Sequence, residues 1–169
     1  MTLAYSTFPA ARQFTTDRYR GAITAERDRR EGLRTIDFSI FRAIDVDVWL
    51  PPLVAPPSIV VLGTAPQVQL ETRFPVLPNA IRYEAIALAQ TNRRSQRIWH
   101  ATLDAKLVGS GAEVVDTMPD LSALPGWKSS WALPVGVSVT VTTRVYETPQ
   151  PLGDGTVQRA TGNSATITP

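Results

Sequence analysis

The 169-residue sequence contains no cysteine, one histidine and two methionines, and these shortages limit its chemistry. Without cysteine the chain can form neither a disulfide nor a thiolate metal site, so its compartment cannot be inferred from redox chemistry. Because His100 is the only histidine, any Ser-His-Asp triad or histidine metal site would depend on it. No apolar run reaches the roughly 18 residues of a membrane span, and the N-terminus lacks a signal-peptide pattern. We therefore expect no export by that route.

The composition that remains is that of one folded domain. Hydrophobic residues make up 43% and charged residues 19%. A chain of this length buries roughly 70% of its unfolded surface in a single core. The basic residues are 15 arginines and 2 lysines, and there are 14 prolines. This bias is typical of proteins from thermophiles, and a GC-rich genome would produce much of the same bias.

Residues 1–34 are predicted to form an arginine-rich N-terminal arm. They hold seven arginines against four acidic residues, a local charge of +3. Thr24 is predicted to cap a short helix over residues 25–33, with Gly32 near its end. The interleaved acids favour salt bridges within or between subunits over nucleic-acid binding. The candidate interface residues of this arm are Arg18, Arg20, Arg27, Arg29 and Arg30.

Residues 35–169 are predicted to form one β domain, because apolar side chains alternate with polar ones. The first such stripe is Ile36, Phe38, Ile40, Ile44, Val46, Val48 and Leu50, with a bulge predicted at Phe41 and Arg42. Two proline pairs, at residues 51–52 and 56–57, predict a stiff connector after it.

Further strands are expected along the rest of the chain. Residues 58–62 are predicted as a short buried strand, and residues 68–74 and 99–107 as strands with alternating faces. In residues 81–90 the alanines favour a helix while Ile81, Tyr83 and Ala85 alternate as in a strand, and of these two alternatives we predict the strand. Residues 112–134 are predicted as a long ordered loop, followed by a valine-rich strand and a C-terminal hairpin. Six to eight strands without alternating helices predict a single antiparallel β-sandwich or jelly-roll barrel.

Trp127 and Trp131 are the candidate binding residues of the predicted loop. They would form an exposed aromatic platform for a sugar, a partner subunit or a lipid interface, or would be buried against their own domain. His100 lies on the polar side of its predicted strand, which favours a solvated histidine over a catalytic one. Asp45 and Asp47 have a spacing that metal binding allows, although solvated charges that block edge pairing explain them more simply. We therefore predict no catalytic residue, no metal ligand and no cofactor.

In its β domain, its charged arm and its arginine-rich, cysteine-free composition, the whole chain resembles the small major capsid protein of tailless, internal-membrane icosahedral viruses of thermophiles. The resemblance implies an upright single jelly roll in the virion, assembled with copies of itself and a larger companion coat protein over a lipid membrane. Arg93, Arg94 and Arg97 would then be candidates for contacts at a loop end.

Other classes of protein share several of these features. A tailed-phage connector, tail or decoration protein is one alternative. A non-enzymatic module that binds a carbohydrate or a receptor through Trp127 and Trp131 is another, and such a module should stay monomeric. An enzyme ranks third, because the sequence offers one histidine, no cysteine and no compact carboxylate motif.

Overall fold

The computed structural model describes Arg12, Phe14 and residues 19–27, 31–40, 49–92, 95–109, 111–152 and 155–169. Ten strands lie in these ranges. In chain order they are β1 (Tyr19–Arg27), β2 (Glu31–Ile40), β3 (Ser58–Gly63), β4 (Gln69–Pro75), β5 (Ala80–Asn92), β6 (Ser95–Asp104), β7 (Glu113–Thr117), β8 (Val139–Glu147), β9 (Gln150–Leu152) and β10 (Gly155–Ile167). Three-residue 3-10 turns occur at Ala105–Leu107 and Ser129–Trp131. The predicted mostly β fold is confirmed.

The strands form two antiparallel sheets. The larger has the order β1-β2-β10-β8-β5-β6, with β9 also paired to β10, and the smaller has the order β3-β4-β7. A strand inside a sheet forms ladder hydrogen bonds along both of its sides, whereas a strand at the end of a sheet forms them along one side only. Among the described residues, the strands paired on one side only are β1, β6 and β9 of the larger sheet and β3 and β7 of the smaller one.

The core contains side chains from both sheets. One buried cluster joins residues of β4, β5 and β8 with Val68, which precedes β4, and with two residues of the β7–β8 loop: Val68, Leu70, Ala87, Ala89, Met118, Leu133, Val139 and Val141. A second cluster comprises Phe74, Tyr83, Ala85, Val114 and Val145. The strand residues of both clusters follow the period-two alternation of the sequence, which places every second side chain on the inner face.

β5 shows why these residues form a strand. Its inner face carries Tyr83, Ala85, Ala87 and Ala89, all buried. Alanine favours a helix in isolation, but β5 pairs with β6 on one side and β8 on the other along most of its length. The strand predicted at residues 81–90 is therefore confirmed.

The proline-rich connector before β3 is held by side chains of β10. Thr161 donates a hydrogen bond from its hydroxyl to the Pro52 carbonyl at 2.8 Å, and Thr161 is itself buried. Pro51 and Pro57 are buried as well. Because proline cannot donate to a ladder, side chains rather than strand pairing hold this segment to the sheet.

The predicted N-terminal helix is wrong. Thr24, the expected cap, lies in β1 opposite Thr35 of β2. Gly32, which was expected near the end of the helix, is the second residue of β2 and has a positive φ of 82°. Ala25, Glu26 and Arg27 are good helix formers, so the pairing of β1 with β2 overrides a local helix preference here. β2 runs across the predicted boundary between residues 34 and 35, and the division into arm and domain stays a prediction.

Two other expectations need correction. The segment 112–134 is not only loop, because β7 pairs with β4 from Glu71 opposite Thr117 to Pro75 opposite Glu113. The strand predicted at residues 58–62 exists, but most of its side chains are exposed. In the first stripe, Ile36 is buried as predicted. The side chains of Phe38 and Ile40, and all of residues 41–48 with their predicted bulge, lie outside what the structure describes.

Candidate binding surfaces

The two tryptophans predicted as binding residues form one aromatic pair. They lie in the loop between β7 and β8, where backbone hydrogen bonds from Trp127 N to Leu124 O (3.1 Å) and from Trp131 N to Lys128 O (2.9 Å) close successive turns. The ring centroids of Trp127 and Trp131 are 5.7 Å apart at an interplanar angle of 89°, an edge-to-face contact. Trp127 is half-buried, whereas Trp131 is 56% exposed. The loop thus presents one indole to solvent and packs the other.

A small cavity of about 30 Å³ lies beneath this pair. Its walls are Gln67, Val68, Ile98, Trp99, Met118, Pro119, Leu121, Trp127, Trp131, Ala132 and Leu133. No charged residue is among them, so the cavity presents apolar and aromatic surface with only a few polar groups.

Two residues that line the cavity each contain a buried polar atom with no hydrogen-bond partner in the described part of the chain, Gln67 Oε1 and Trp99 Nε1. Gln67 is only 5% exposed. Its Nε2 atom donates to the Pro119 carbonyl at 2.9 Å, which leaves the amide oxygen as the free acceptor. Because native proteins pair most buried polar groups, an unpaired donor and an unpaired acceptor in two wall residues of one cavity are unusual.

A second surface is the outer edge of β3, the first strand of the smaller sheet. On its inner side β3 pairs with β4, and on its outer side it pairs with no strand among the described residues. Val60, Val61 and Leu62 are 43%, 40% and 49% exposed. The sequence predicted a buried strand here from its run of apolar residues, and the structure instead leaves that run at the end of a sheet.

β3 is the longest strand without charge among the described strands that are paired on one side only. β1, β6 and β7 each carry charged residues, whereas Ser58–Gly63 has none. The three-residue β9 is also uncharged, but it contains Pro151, which cannot donate to a ladder. In β7, Asp116 has the parity of buried Val114 and is half-buried, and this burial raises the pKa of its carboxyl group. Inward-pointing charges and charged edges prevent one sheet from pairing with another. β7 has that protection, and β3 lacks it.

The candidate residues of the N-terminal arm are not brought into a described site. Arg18, Arg29 and Arg30 lie outside the described residues. Arg20 and Arg27 lie in β1, opposite Ser39 and Glu31 of β2, with only their backbone described. Their role as an interface stays a prediction.

The residues weighed for catalysis or metal binding are not assembled into a site in the described ranges. His100 is exposed on β6, with its Nε2 atom 3.5 Å from the Thr102 hydroxyl. Asp45 and Asp47 lie outside the described residues. Among the residues that are described, no three of the types His, Cys, Asp and Glu come together as metal ligands would. The same residues contain no helix with the length and apolarity needed to cross a membrane.

Comparison with known proteins gives no assignment. The chain matches no protein-family model, no curated protein and no solved structure at a significant level.

Proposed function

We propose that this chain is a structural subunit that assembles with copies of itself, and that its assembly forms the coat of a virus particle. The observation that carries the proposal is the outer edge of β3, an uncharged, exposed and apolar strand end in a sheet whose opposite end is protected by charge. Such an edge is a template for another strand.

The sequence of β3 suits pairing with a second copy of itself. In a two-fold antiparallel pairing centred on Val60, Val60 would lie opposite the same residue of the copy, and Ile59 would lie opposite Val61. Apolar side chains then face apolar side chains, and no like charges meet across the pair. The result would be one continuous six-stranded sheet built from the smaller sheets of two copies.

The two-sheet core supports a rigid sandwich as the building unit, since residues of β4, β5 and β8 share one buried cluster. The whole-chain resemblance to small viral coat proteins supports the virion as its location and a second coat protein as a companion.

The test is sedimentation velocity of the wild-type chain, of Val60→Lys and of Val115→Lys. Val115, on β7, is 47% exposed and so matches Val60 closely, but its strand already carries charges. We expect wild type and Val115→Lys to sediment as the same oligomer, and Val60→Lys to sediment as a smaller species with an unchanged far-ultraviolet circular dichroism spectrum. A monomeric wild type, or equal oligomers for all three, would contradict self-assembly through β3. Electron microscopy of the wild-type assembly would then show whether it closes into shells, as a coat protein requires.

A further inference from the structure

We propose that the proline-rich connector, residues 49–57, docks as a polyproline II ridge on the Trp127–Trp131 pair of a second copy of the chain. The contact is head-to-tail, because the two surfaces that meet are different. It rests on the proposed self-assembly and adds to it a second interface that the β3 pairing does not supply.

Burial in the connector repeats every three residues. The buried positions are Pro51, Val54 and Pro57, and the exposed ones are Trp49, Pro52 and Ala55, with Pro56 exposed beside them. A β-strand alternates every two residues, whereas a polyproline II helix has three residues per turn. The four prolines fix their own φ, and each restricts the residue before it to extended or polyproline II backbone. The connector is therefore a polyproline II helix with one face on the domain and one face on solvent.

The exposed face of the connector is a ridge that is formed before any partner binds. Thr161 and Asn163 of β10 donate hydrogen bonds to the Pro52 and Val54 carbonyl oxygens at 2.8 and 2.9 Å, which holds the helix against the sheet. A ridge that is already ordered loses little conformational entropy on docking. Polyproline II segments are bound by surfaces lined with aromatic side chains, so the ridge requires an aromatic partner surface.

The loop between β7 and β8 offers such a surface. The indole of Trp131 is exposed, and Trp127 supports it edge-to-face. Leu124 and Val135 of the same loop are exposed as well, so the surface extends beyond the two rings. An aromatic face of this kind packs on proline rings, and its indole N–H can only donate a hydrogen bond.

The ridge and the loop are also compatible in charge. Residues 49–57 contain no charged side chain, and residues 121–136 contain one, Lys128. The Lys128 ammonium lies 5.8 Å from the centre of the Trp131 ring. A polyproline II helix makes no internal hydrogen bonds, so its carbonyl oxygens accept from donors outside it. The loop thus brings donors and aromatic rings, and the ridge brings acceptors and proline rings, without a meeting of like charges.

The contact must form between copies and not within one chain. Trp49 is 76% exposed and Trp131 is 56% exposed in the folded chain, so the ridge does not cover the aromatic pair of its own chain. The connector is bonded to β10, whereas the cavity beneath the aromatic pair is lined by Ile98 and Trp99 of β6. Since β8 and β5 lie between β10 and β6, about 14 Å separates these two strands.

The symmetry of the β3 pairing selects a second copy as the occupant of the aromatic pair. A two-fold contact uses the same patch on both copies, so β3 pairing alone ends at a dimer. Growth beyond a dimer needs a heterologous contact, for which each copy must carry two complementary surfaces. The ridge and the Trp127–Trp131 pair are two such surfaces, and neither includes a residue of β3.

The experiment measures the head-to-tail contact in the Val60→Lys background, in which the β3 contact is removed. In sedimentation velocity we expect Val60→Lys to run above the monomer. Val60→Lys/Trp49→Ala and Val60→Lys/Trp131→Ala should each run as monomers, because losing a tryptophan anchor weakens association by at least about tenfold. Mixed in equal amounts, these two double variants should form a heterodimer, since one retains the aromatic pair and the other retains the ridge.

Val60→Lys/Leu107→Ala is the matched control, because Leu107 is 82% exposed and belongs to neither surface. It should sediment as Val60→Lys does. A monomeric Val60→Lys, or a mixture of the two tryptophan variants that stays monomeric, would overturn the contact. Oligomers retained by Val60→Lys/Trp49→Ala would overturn it too, since the aromatic pair would then bind without the ridge. Failure of the β3 pairing gives a different result, equal oligomers of wild type and Val60→Lys.

Discussion

Asn163 of β10 donates a hydrogen bond from Nδ2 to the Val54 carbonyl oxygen, 2.9 Å away, and so ties the proline-rich connector to the larger sheet across 109 positions of the chain. Both residues are buried. The connector spans the two proline pairs and has no ladder of its own, so this contact and the one from Thr161 to Pro52 set its path into β3.

Replacing Asn163 by Ala should lower the free energy of unfolding by about 1–3 kcal/mol, because the Val54 carbonyl would remain buried without its donor. Urea denaturation followed by circular dichroism measures the change. Thr166→Ala is the control, because Thr166 is an exposed residue of the same strand and its loss should cost about 0.5 kcal/mol or less. Equal stability of the two variants would show that the contact does not hold the connector.

Phe74→Ala should destabilise the folded protein strongly. Phe74 is buried in the cluster with Tyr83, and their ring centroids are 5.9 Å apart. Removing a buried phenyl ring leaves a cavity and costs about 3–5 kcal/mol. Leu107→Ala, at an exposed position in a 3-10 turn, serves as the comparison and should leave the urea midpoint nearly unchanged. A loss below about 1 kcal/mol for Phe74→Ala would mean that this ring does not pack in the core.

Asp116 should make the protein less stable at neutral than at acidic pH. Burial raises the pKa of its carboxyl group, so the folded state holds the proton more tightly than the unfolded state does. Its contribution to stability is therefore fully present below the ordinary carboxyl range and is lost as the pH rises through the folded-state pKa. The Asp116→Asn variant has no buried carboxylate at this position, so it avoids the loss of stability at higher pH. It should melt at a higher temperature than the wild type at neutral pH, and the difference in melting temperature should shrink in acid.

Asp120 provides a control of opposite sign for that pH series. The Ser122 backbone N–H donates to Asp120 Oδ1 at 2.9 Å, and hydrogen bonding from Ser122 lowers the pKa of the Asp120 carboxyl. The stability it contributes is present above the ordinary carboxyl range and is lost as the pH falls. Asp120→Asn should not raise the neutral-pH melting temperature. If both variants shifted it equally, a change in net charge rather than burial of Asp116 would be the cause.

Gly162→Ala should destabilise the pairing of β10 with β8. A β-carbon at this position would clash with the Thr143 carbonyl oxygen and lie 3.1 Å from the Arg144 Cγ atom, so the backbone would have to move. Overpacking of this kind costs about 1–3 kcal/mol. Gly109→Ala is the matched substitution, since a β-carbon there meets nothing within 4 Å. Thermal melts of equal midpoint for both alanine variants would contradict the close approach.

The strands were predictable where period-two alternation was regular. Leu70, Thr72 and Phe74 are buried on one face of β4, as the alternation requires. Val139, Val141 and Val145 are likewise buried on one face of β8. The helix at residues 25–33 was wrong because a capping pattern is a local signal, whereas β1 is formed by its ladder to β2. β7 was missed for a similar reason, since pairing with β4 is not visible within the segment itself.

The candidate site was predictable only in part. Trp127 and Trp131 drew attention because tryptophan is enriched at binding sites, and they lie at the cavity. Gln67 and Trp99 gave no such signal, because their importance comes from being buried without a partner, and a linear sequence does not contain that information. β3 was identified as a strand, but a short apolar run has the same composition in the centre of a sheet as at its end.

The uncharged end of the smaller sheet has a consequence for how the protein must be produced. An open strand edge without charges or prolines recognises any extended segment, including unfolded copies of the same chain, so aggregation competes with correct assembly. That competition grows with concentration, and a charge placed at Val60 would act as a gatekeeper against it. High-level expression of the wild type should therefore yield more insoluble material than expression of Val60→Lys, a difference in solubility that arises before any assembly is formed.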